Sequence, residues 1–138
     1  MRKTIFFLFL ATLLSCNNSE TEKLITAERF LDEKPDSSLV VLRSLDSHSL
    51  KTPEKKARYA LLMSKALDKN YIDVQSDSLI IKAVDYYSQH RNARYRMMAN
   101  YYHGLILYNG GHYSTAIVAF ENAERETRCY YRTIITLD

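Results

Sequence analysis

Glycine and proline are scarce in this chain, which has three glycines and two prolines among 138 residues. All three glycines fall within the eight residues from Gly104 to Gly111, and Pro35 and Pro53 stand where helices would begin. A fold built of β-strands needs frequent turns, and glycine and proline supply many of the turn residues. The chain is therefore predicted to be all-helical.

Length and charge limit the number of domains and the kinds of ligand that the chain can have. The chain is long enough for one small domain, and its 46% of apolar residues suffices for a packed core. Lys and Arg number 19 against 16 Asp and Glu, a formal net charge of +3. Without Arg2 and Lys3, which precede an apolar segment, the balance is 17 against 16. No basic stripe interleaved with aromatic residues occurs, so nucleic-acid binding is not predicted.

The first 15 residues have the proportions of a secretory signal peptide. The positive pair Arg2-Lys3 precedes a mostly apolar run of ten residues, Ile5 to Leu14. Crossing a bilayer takes roughly 20 apolar residues, so this run is too short for a transmembrane helix. We expect residues 1–15 to be a signal peptide and exclude them from the fold.

The region Leu13-Leu14-Ser15-Cys16 resembles the lipobox of bacterial lipoproteins, with an aliphatic residue at −3, a small residue at −1 and cysteine at +1. The resemblance implies that Cys16 is lipidated and becomes the mature N-terminus. Two or three acyl chains anchor a protein stably, whereas one chain holds it only marginally. Residues 16–22 would then be the lipidated cysteine and a polar spacer on an envelope protein, in the inner or the outer membrane. The alternative is an ordinary cleaved signal followed by an incidental cysteine.

Apolar periodicity predicts six one-sided helices joined by short connections. Thr52 is expected to cap the third helix, with Pro53 at its first position. The first helices of the three pairs begin near residues 20, 53 and 93, and such a period of helix pairs is typical of an α-solenoid. The predicted helices cover 20–33, 36–45, 53–68, a fourth from Ser76 or Asp77, 93–109 and 113–128.

The stretch NYYHGLILYNGGHYSTAIVAFENA, residues 100–123, resembles a tetratricopeptide repeat (TPR). The resemblance implies that Gly104 and Ala116 are small residues facing each other where two helices cross closely. In the Gly110-Gly111 turn, one glycine is expected at positive φ. Tyr113 is expected to pack, and aromatic and small residues further on to contact a following helix. The signature positions are Gly104, Gly111, Tyr113, Ala116, Phe120 and Ala123.

Taken together, the helix pairs look like the TPR-containing lipoproteins and membrane regulators of Bacteroidetes-type bacteria. The resemblance implies about three TPR-like hairpins over residues 23–128, followed by an incomplete C-terminal segment, 129–138. It also implies that the repeats bind a protein or peptide partner as a scaffold or adaptor. The alternative is the truncated sensor part of a TPR-containing membrane transcriptional regulator.

The binding residues that this resemblance implies lie on the first helix of the last pair, because first helices line the concave groove of the family. Tyrosine there offers a large rigid contact and a hydroxyl group, as at protein interfaces. Tyr101 and Tyr108 are the two positions that we expect to matter most. The full set of predicted groove positions is Met98, Tyr101, Leu105, Tyr108 and Asn109.

No catalytic constellation is visible in the sequence. The four histidines lie on different segments, without a nucleophile or carboxylate at a telling spacing, and no phosphate-binding loop, Gly-x-Ser-x-Gly or His-Glu-x-x-His motif occurs. Asp73 to Asp77 suggests a calcium loop, but its sixth position is not glycine and Val84 stands where glutamate is needed. We therefore predict no enzyme activity, no metal and no cofactor.

Three single residues complete the sequence predictions. His103 is expected to be a helix-packing residue. Cys129 lacks a cluster of further zinc ligands, so it is expected to be either a small packing residue of the last helix or a stray thiol. Asp77-Ser78-Leu79 resembles the short O-glycosylation motif of these bacteria, which leaves glycosylation of Ser78 open.

Overall fold

The computed structural model describes residues 19–135, apart from the side chain of Thr133, and within this range the chain is helical with no β-strand. The all-helical prediction is confirmed. The predicted signal peptide and Cys16 lie outside the described residues. The helices are α1 (19–30), α2 (Pro35–Arg43), α3 (Pro53–Lys69), α4 (Ile81–Ser88), α5 (Ala93–Asn109) and α6 (Tyr113–Ile135).

Two helix ends differ clearly from the sequence prediction. The fourth helix begins at Ile81 instead of Ser76 or Asp77, because residues 77–80 form a turn in which the Ser76 and Ser78 hydroxyls bond to each other at 3.1 Å. Serine side chains that bond locally compete with helix formation. The sixth helix continues to Ile135 instead of ending at 128, because neither glycine nor proline follows to stop it. The described part of the predicted C-terminal segment is thus the end of α6.

The predicted helix signals act as expected at two other ends. Thr52 Oγ1 accepts a hydrogen bond from the Lys55 N–H at 3.2 Å, with Pro53 as the first residue of α3. Helix α5 ends with Gly111 at φ 79°, where the His112 N–H donates to the Leu107 carbonyl at 2.9 Å. The end of α3 has the same geometry with Tyr71 at φ 57°, an uncommon conformation for a residue that carries a Cβ.

The core consists of two clusters that share α3. Adjacent residues of this helix, Leu61 and Leu62, are both fully buried but belong to different clusters. We call the cluster between α1, α2 and α3 the N-terminal cluster, and the cluster between α3, α4 and α5 the central cluster. The N-terminal cluster contains Leu24, Ala27, Leu31, Leu39, Leu42, Leu45, Leu62, Met63 and Ala66. The central cluster contains Ala57, Ala60, Leu61, Ile80, Ala83, Tyr87, Met98, Ala99, Tyr102 and Ile106.

Helix α6 packs against α5 through small side chains. Ala116, Ala119 and Ala123 are buried along it. The atoms nearest to the position that a Cβ on Gly104 would occupy belong to Phe120, at 2.7 Å, and not to Ala116 as expected. Because the phenyl ring is larger than a methyl group, it reaches the glycine first. Gly104 therefore provides the space for the Phe120 ring, which is half-buried between the two helices.

Candidate functional site

A recess with a volume of about 600 Å³ lies between α5 and α6. Its position follows from the spacing of side chains on α5, where residues at i, i+1, i+4 and i+5 project to one side. Helix α6 closes the other side with Phe120 and Ala123. The apolar lining consists of Met97, Met98, Tyr101, Tyr102, Phe120 and Ala123.

The aromatic side chains of the recess differ in how far they are exposed. Tyr102 belongs to the central cluster and is 7% exposed, and burial raises the pKa of its hydroxyl group well above the ordinary 10.0. Tyr101 is 45% exposed, and its ring centroid lies 5.2 Å from that of Tyr102 and 5.9 Å from that of Phe120. Tyr102 is thus a neutral part of the fixed floor, whereas Tyr101 and Phe120 present partly exposed aromatic surface to a ligand.

Charged groups surround this apolar lining. The Lys65 ammonium group, on α3, lies 2.9 Å from the Asp32 carboxylate, and Glu124 pairs with Arg128 at 2.6 Å. The hydrogen bond from Lys65, opposed by partial burial, lowers the pKa of Asp32 below its ordinary value. Arg94 also lines the recess, and its positive charge helps to lower the pKa of Glu28, although the two side chains form no ion pair.

The structure brings together only part of the predicted groove. Met98 and Tyr101 line the recess, while Leu105 and Asn109 line a separate narrow crevice of about 10 Å³ beside α3. Tyr108 does not line the recess. Its side chain is 57% exposed, and its ring lies 5.3 Å from that of Tyr113 near the turn of the α5–α6 hairpin.

Tyr113 is exposed rather than packed, which corrects the expectation for this signature position. It is 60% exposed and is the first residue of α6. Side chains of a helix point towards its N-terminus, so the Tyr113 ring lies beside the preceding turn, where it contacts Tyr108 at the end of α5 and stays largely exposed. The remaining signature residues are placed within the hairpin: Ala116 and Ala123 are buried and Gly111 forms the turn.

Met97, Tyr102 and Arg94 are site residues that the sequence predictions did not include. A signal for the first two was present in the spacing of Met97, Met98, Tyr101 and Tyr102, which puts four large side chains on one side of a helix. No local signal could have found Lys65, because it reaches the recess from α3, about 30 residues earlier in the chain.

A partly buried polar network joins the first helices of the three hairpins. The Glu28 carboxylate on α1 accepts hydrogen bonds from Arg58 Nε on α3 at 3.1 Å and from the Tyr95 hydroxyl on α5 at 2.8 Å. Burial would raise the pKa of Glu28, but the hydrogen bonds from Arg58 and Tyr95, together with nearby positive charge, hold it below its ordinary value of 4.5. The network ties together the helices that carry the recess.

The other titratable residues are dispersed. His103 Nε2 lies 3.3 Å from Asp77 Oδ2, so this partly buried histidine contacts a carboxylate next to α4 in addition to packing. Cys129 lies exposed on α6, which excludes the buried packing role but not the stray thiol. Between residues 19 and 135, no three His, Cys, Asp or Glu side chains come together as potential metal ligands. The same range contains no helix with the length and apolar character needed to cross a membrane.

Comparisons of the chain with protein-family models, with curated proteins and with solved structures returned no match. The chain's function has to be inferred from its own residues. The recess between α5 and α6 is the site with the clearest ligand-binding character, because it combines a volume of about 600 Å³ with aromatic side chains and a charged margin.

Proposed function

We propose that this chain is a lipid-anchored cell-envelope protein whose TPR-like helix hairpins bind a protein or peptide partner. The observation that carries the binding part is the recess between α5 and α6, with its apolar lining and a volume of about 600 Å³. Ligand sites are commonly concave, mostly apolar and of a few hundred cubic ångströms, with a small number of polar groups that orient the ligand.

The chemistry of the recess favours a peptide segment that carries a large apolar side chain. Such a side chain would contact Tyr101 and Phe120, and exposed aromatic residues often dominate binding energy at protein interfaces. Arg94, whose charge acts on Glu28 but which forms no hydrogen bond among the described residues, would donate to a carboxylate or a backbone carbonyl of the same segment. The partner is therefore expected to combine an apolar anchor with an acceptor group close to it.

The arrangement of helices supports the proposal of a TPR-like solenoid. Three consecutive hairpins follow one another along the described chain, and α3 contributes to the core on both sides. The Glu28 network holds the first helices α1, α3 and α5 together, which is the layer expected to line a groove. Because Gly104 has no side chain, the Phe120 ring packs directly over it, and this contact allows α5 and α6 to pack closely.

The binding proposal is tested with the full-length chain in detergent and a phage-displayed random peptide library. Peptides selected on the chain are expected to bind Tyr101→Ala and Phe120→Ala at least about tenfold more weakly, since each change removes an aromatic contact of the recess. Tyr108→Ala is the matched control, because it removes another partly exposed tyrosine of the same helix, outside the recess. Equal losses in all three variants, or no loss in the first two, would contradict the assignment of the site.

The lipid anchor gives a separate prediction. Cys16→Ala removes the only thiol on which a diacylglyceryl group could be attached at the proposed cleavage site. The protein is therefore expected to leave the membrane fraction, because it loses the two or three acyl chains that stable anchoring requires. Fractionation of cells that express each form measures this, with Cys129→Ala as the control. Equal membrane association of Cys16→Ala and the unchanged chain would refute lipid anchoring.

A further inference from the structure

The outer face of α6 carries an exposed stripe of side chains that are charged in the middle and apolar at both ends. At 100° per residue around the helix axis, each member lies within about 40° of the line that joins Ile117 and Ile135. Ile117, Tyr131 and Ile135 are 58%, 59% and 73% exposed, which is unusual for large apolar side chains on one line. The outer stripe consists of Ile117, Glu121, Glu124, Arg128, Tyr131 and Ile135.

The outer stripe has a symmetry in its chemistry. Ile117 and Ile135 are equally far from residue 126 in opposite directions, and so are Glu124 and Arg128. In a symmetric pair of chains, the same surface contacts itself, so residue i of one copy meets residue j of the other and the reverse. An antiparallel pair of α6 helices centred at residue 126 would therefore place isoleucine against isoleucine and glutamate against arginine.

We propose that this face of α6 docks against the same face of a second copy of this chain, in antiparallel orientation. Ile117 would contact Ile135 of the second copy at both ends of the interface. Near the centre, Glu124 would lie opposite Arg128 of the second copy. A parallel pair in register would instead oppose Glu124 to Glu124 and Arg128 to Arg128, and like charges in contact disfavour association. Charge complementarity therefore selects both the partner and the orientation.

The described contacts of α6 hold this face in place. Glu126, at the proposed centre, points to the opposite side, where it pairs with Arg96 of α5 at 2.8 Å. Glu124 and Arg128 are already paired within the helix at 2.6 Å while remaining mostly exposed. A second copy would extend this pair to a cluster of four charges. From Ile117 to Ile135 the stripe is about 27 Å long, which gives a continuous helix–helix contact of five turns.

Charge exchange tests the proposal in the full-length chain in detergent, by sedimentation velocity over a range of protein concentrations. The unchanged chain is expected to form dimers. Arg128→Glu is expected to raise the dimer dissociation constant at least about tenfold, because it places glutamate against Glu124 of the second copy. The double variant Glu124→Arg/Arg128→Glu restores opposite charges both within and between the helices, and is expected to return the constant to within about threefold of the original.

Arg125→Glu is the control, since Arg125 lies about 80° from the line that joins Ile117 and Ile135 on the same helix and contacts Asn122. It is expected to leave the dissociation constant unchanged. A second set, Ile117→Lys, Ile135→Glu and their combination, examines the ends, with weakening by either single change and recovery in the double variant. Circular dichroism verifies that each variant keeps its helices.

Three outcomes would overturn the proposal. An unchanged chain that stays monomeric excludes self-association. If Arg128→Glu does not weaken the dimer, the two copies associate through a surface other than the outer stripe, for example through residues 1–15. A double charge exchange that fails to restore the dimer excludes the antiparallel pairing. Peptide binding at the recess is tested separately with Tyr101→Ala and Phe120→Ala, which leave the stripe unchanged, because Glu124 belongs both to the stripe and to the margin of the recess.

Discussion

Replacing Leu62 by alanine is expected to lower the free energy of unfolding by about 2–5 kcal/mol. Leu62 is 1% exposed and lies in the N-terminal cluster with residues from α1 and α2. The shorter side chain removes apolar contact and leaves a cavity, and both effects destabilise the folded state. Urea unfolding followed by far-UV circular dichroism measures the change.

Leu61→Ala provides the matched comparison, because Leu61 is the next residue of the same helix but is buried in the central cluster. A loss in the same range is expected. Since both clusters depend on α3, each variant is also expected to unfold in one cooperative transition, with fluorescence of the tyrosines and circular dichroism giving the same midpoint. Separate transitions would show that the two clusters are independent units.

Val40→Ala serves as the surface control for both core variants. Val40 is 69% exposed on α2, so its truncation removes little buried contact. A change within about 0.5 kcal/mol is expected, as for most surface substitutions. A loss comparable to that of Leu62→Ala would mean that the outer face of α2 is covered by part of the chain outside residues 19–135.

Replacing Glu28 by alanine is the second change with a large expected effect, a loss of about 2 kcal/mol in the free energy of unfolding. Glu28 accepts hydrogen bonds from Arg58 and Tyr95, so its removal leaves the partly buried guanidinium group without its acceptor. Hydrogen bonds to charged groups contribute about 1.5–3 kcal/mol, and the network retains some exposure to water. Tyr95→Phe keeps the ion pair and removes one donor, so a smaller loss is expected.

The pH dependence of the folding stability tests the Glu28 network independently. The pKa of Glu28 is lower in the folded chain than its ordinary 4.5, so the carboxylate stabilises the folded state above pH 4.5. This stabilisation is lost as the pH falls through the folded pKa. The pKa of Asp32 is also lowered, so its carboxylate stabilises the folded state above pH 3.8. This stabilisation too is lost as the pH falls below 3.8. The urea midpoint of the unchanged chain is therefore expected to fall as the pH decreases below 4.5.

Glu28→Gln distinguishes the contribution of Glu28 to the pH dependence from that of Asp32, because glutamine cannot ionise but is close to glutamate in size. Its urea midpoint is expected to be lower at neutral pH and to fall less steeply below pH 4.5, while Asp32→Asn shows the complementary part. If Glu28→Gln had the same pH dependence as the unchanged chain, the Glu28 network would not contribute to stability in solution.

Helix α5 illustrates how far local signals extend. Its bounds, 93–109, agree with the sequence prediction, because Asn92 caps its start and the Gly110-Gly111 turn ends it. The start of α4 was predicted wrongly, since local bonding of Ser76 and Ser78 favours a turn over the helix that the apolar pattern indicates. The end of α6 was also predicted wrongly, because neither glycine nor proline follows residue 128 to stop the helix.

The candidate site shows the limit of the sequence predictions more directly. Tyr101 and Tyr108 were predicted to share a groove because the resemblance to TPR proteins implies that the first helix of each pair lines it. Tyr101 nevertheless lines the recess, whereas Tyr108 lies near the hairpin turn beside Tyr113. The position of α6, through Phe120 and Thr127, determines which part of α5 is enclosed.

The sequence by itself determined that the chain is helical, where most of its helices begin and end, and which side of each is apolar, because these properties depend on turn residues, caps and periodicity within a few residues. Only the tertiary structure decided that α3 belongs to both clusters, that Phe120 takes the space left by Gly104, and that Lys65 and Arg94 reach the same recess. These features join residues that are distant in the chain, and they depend on how side-chain volumes fit together when the helices pack.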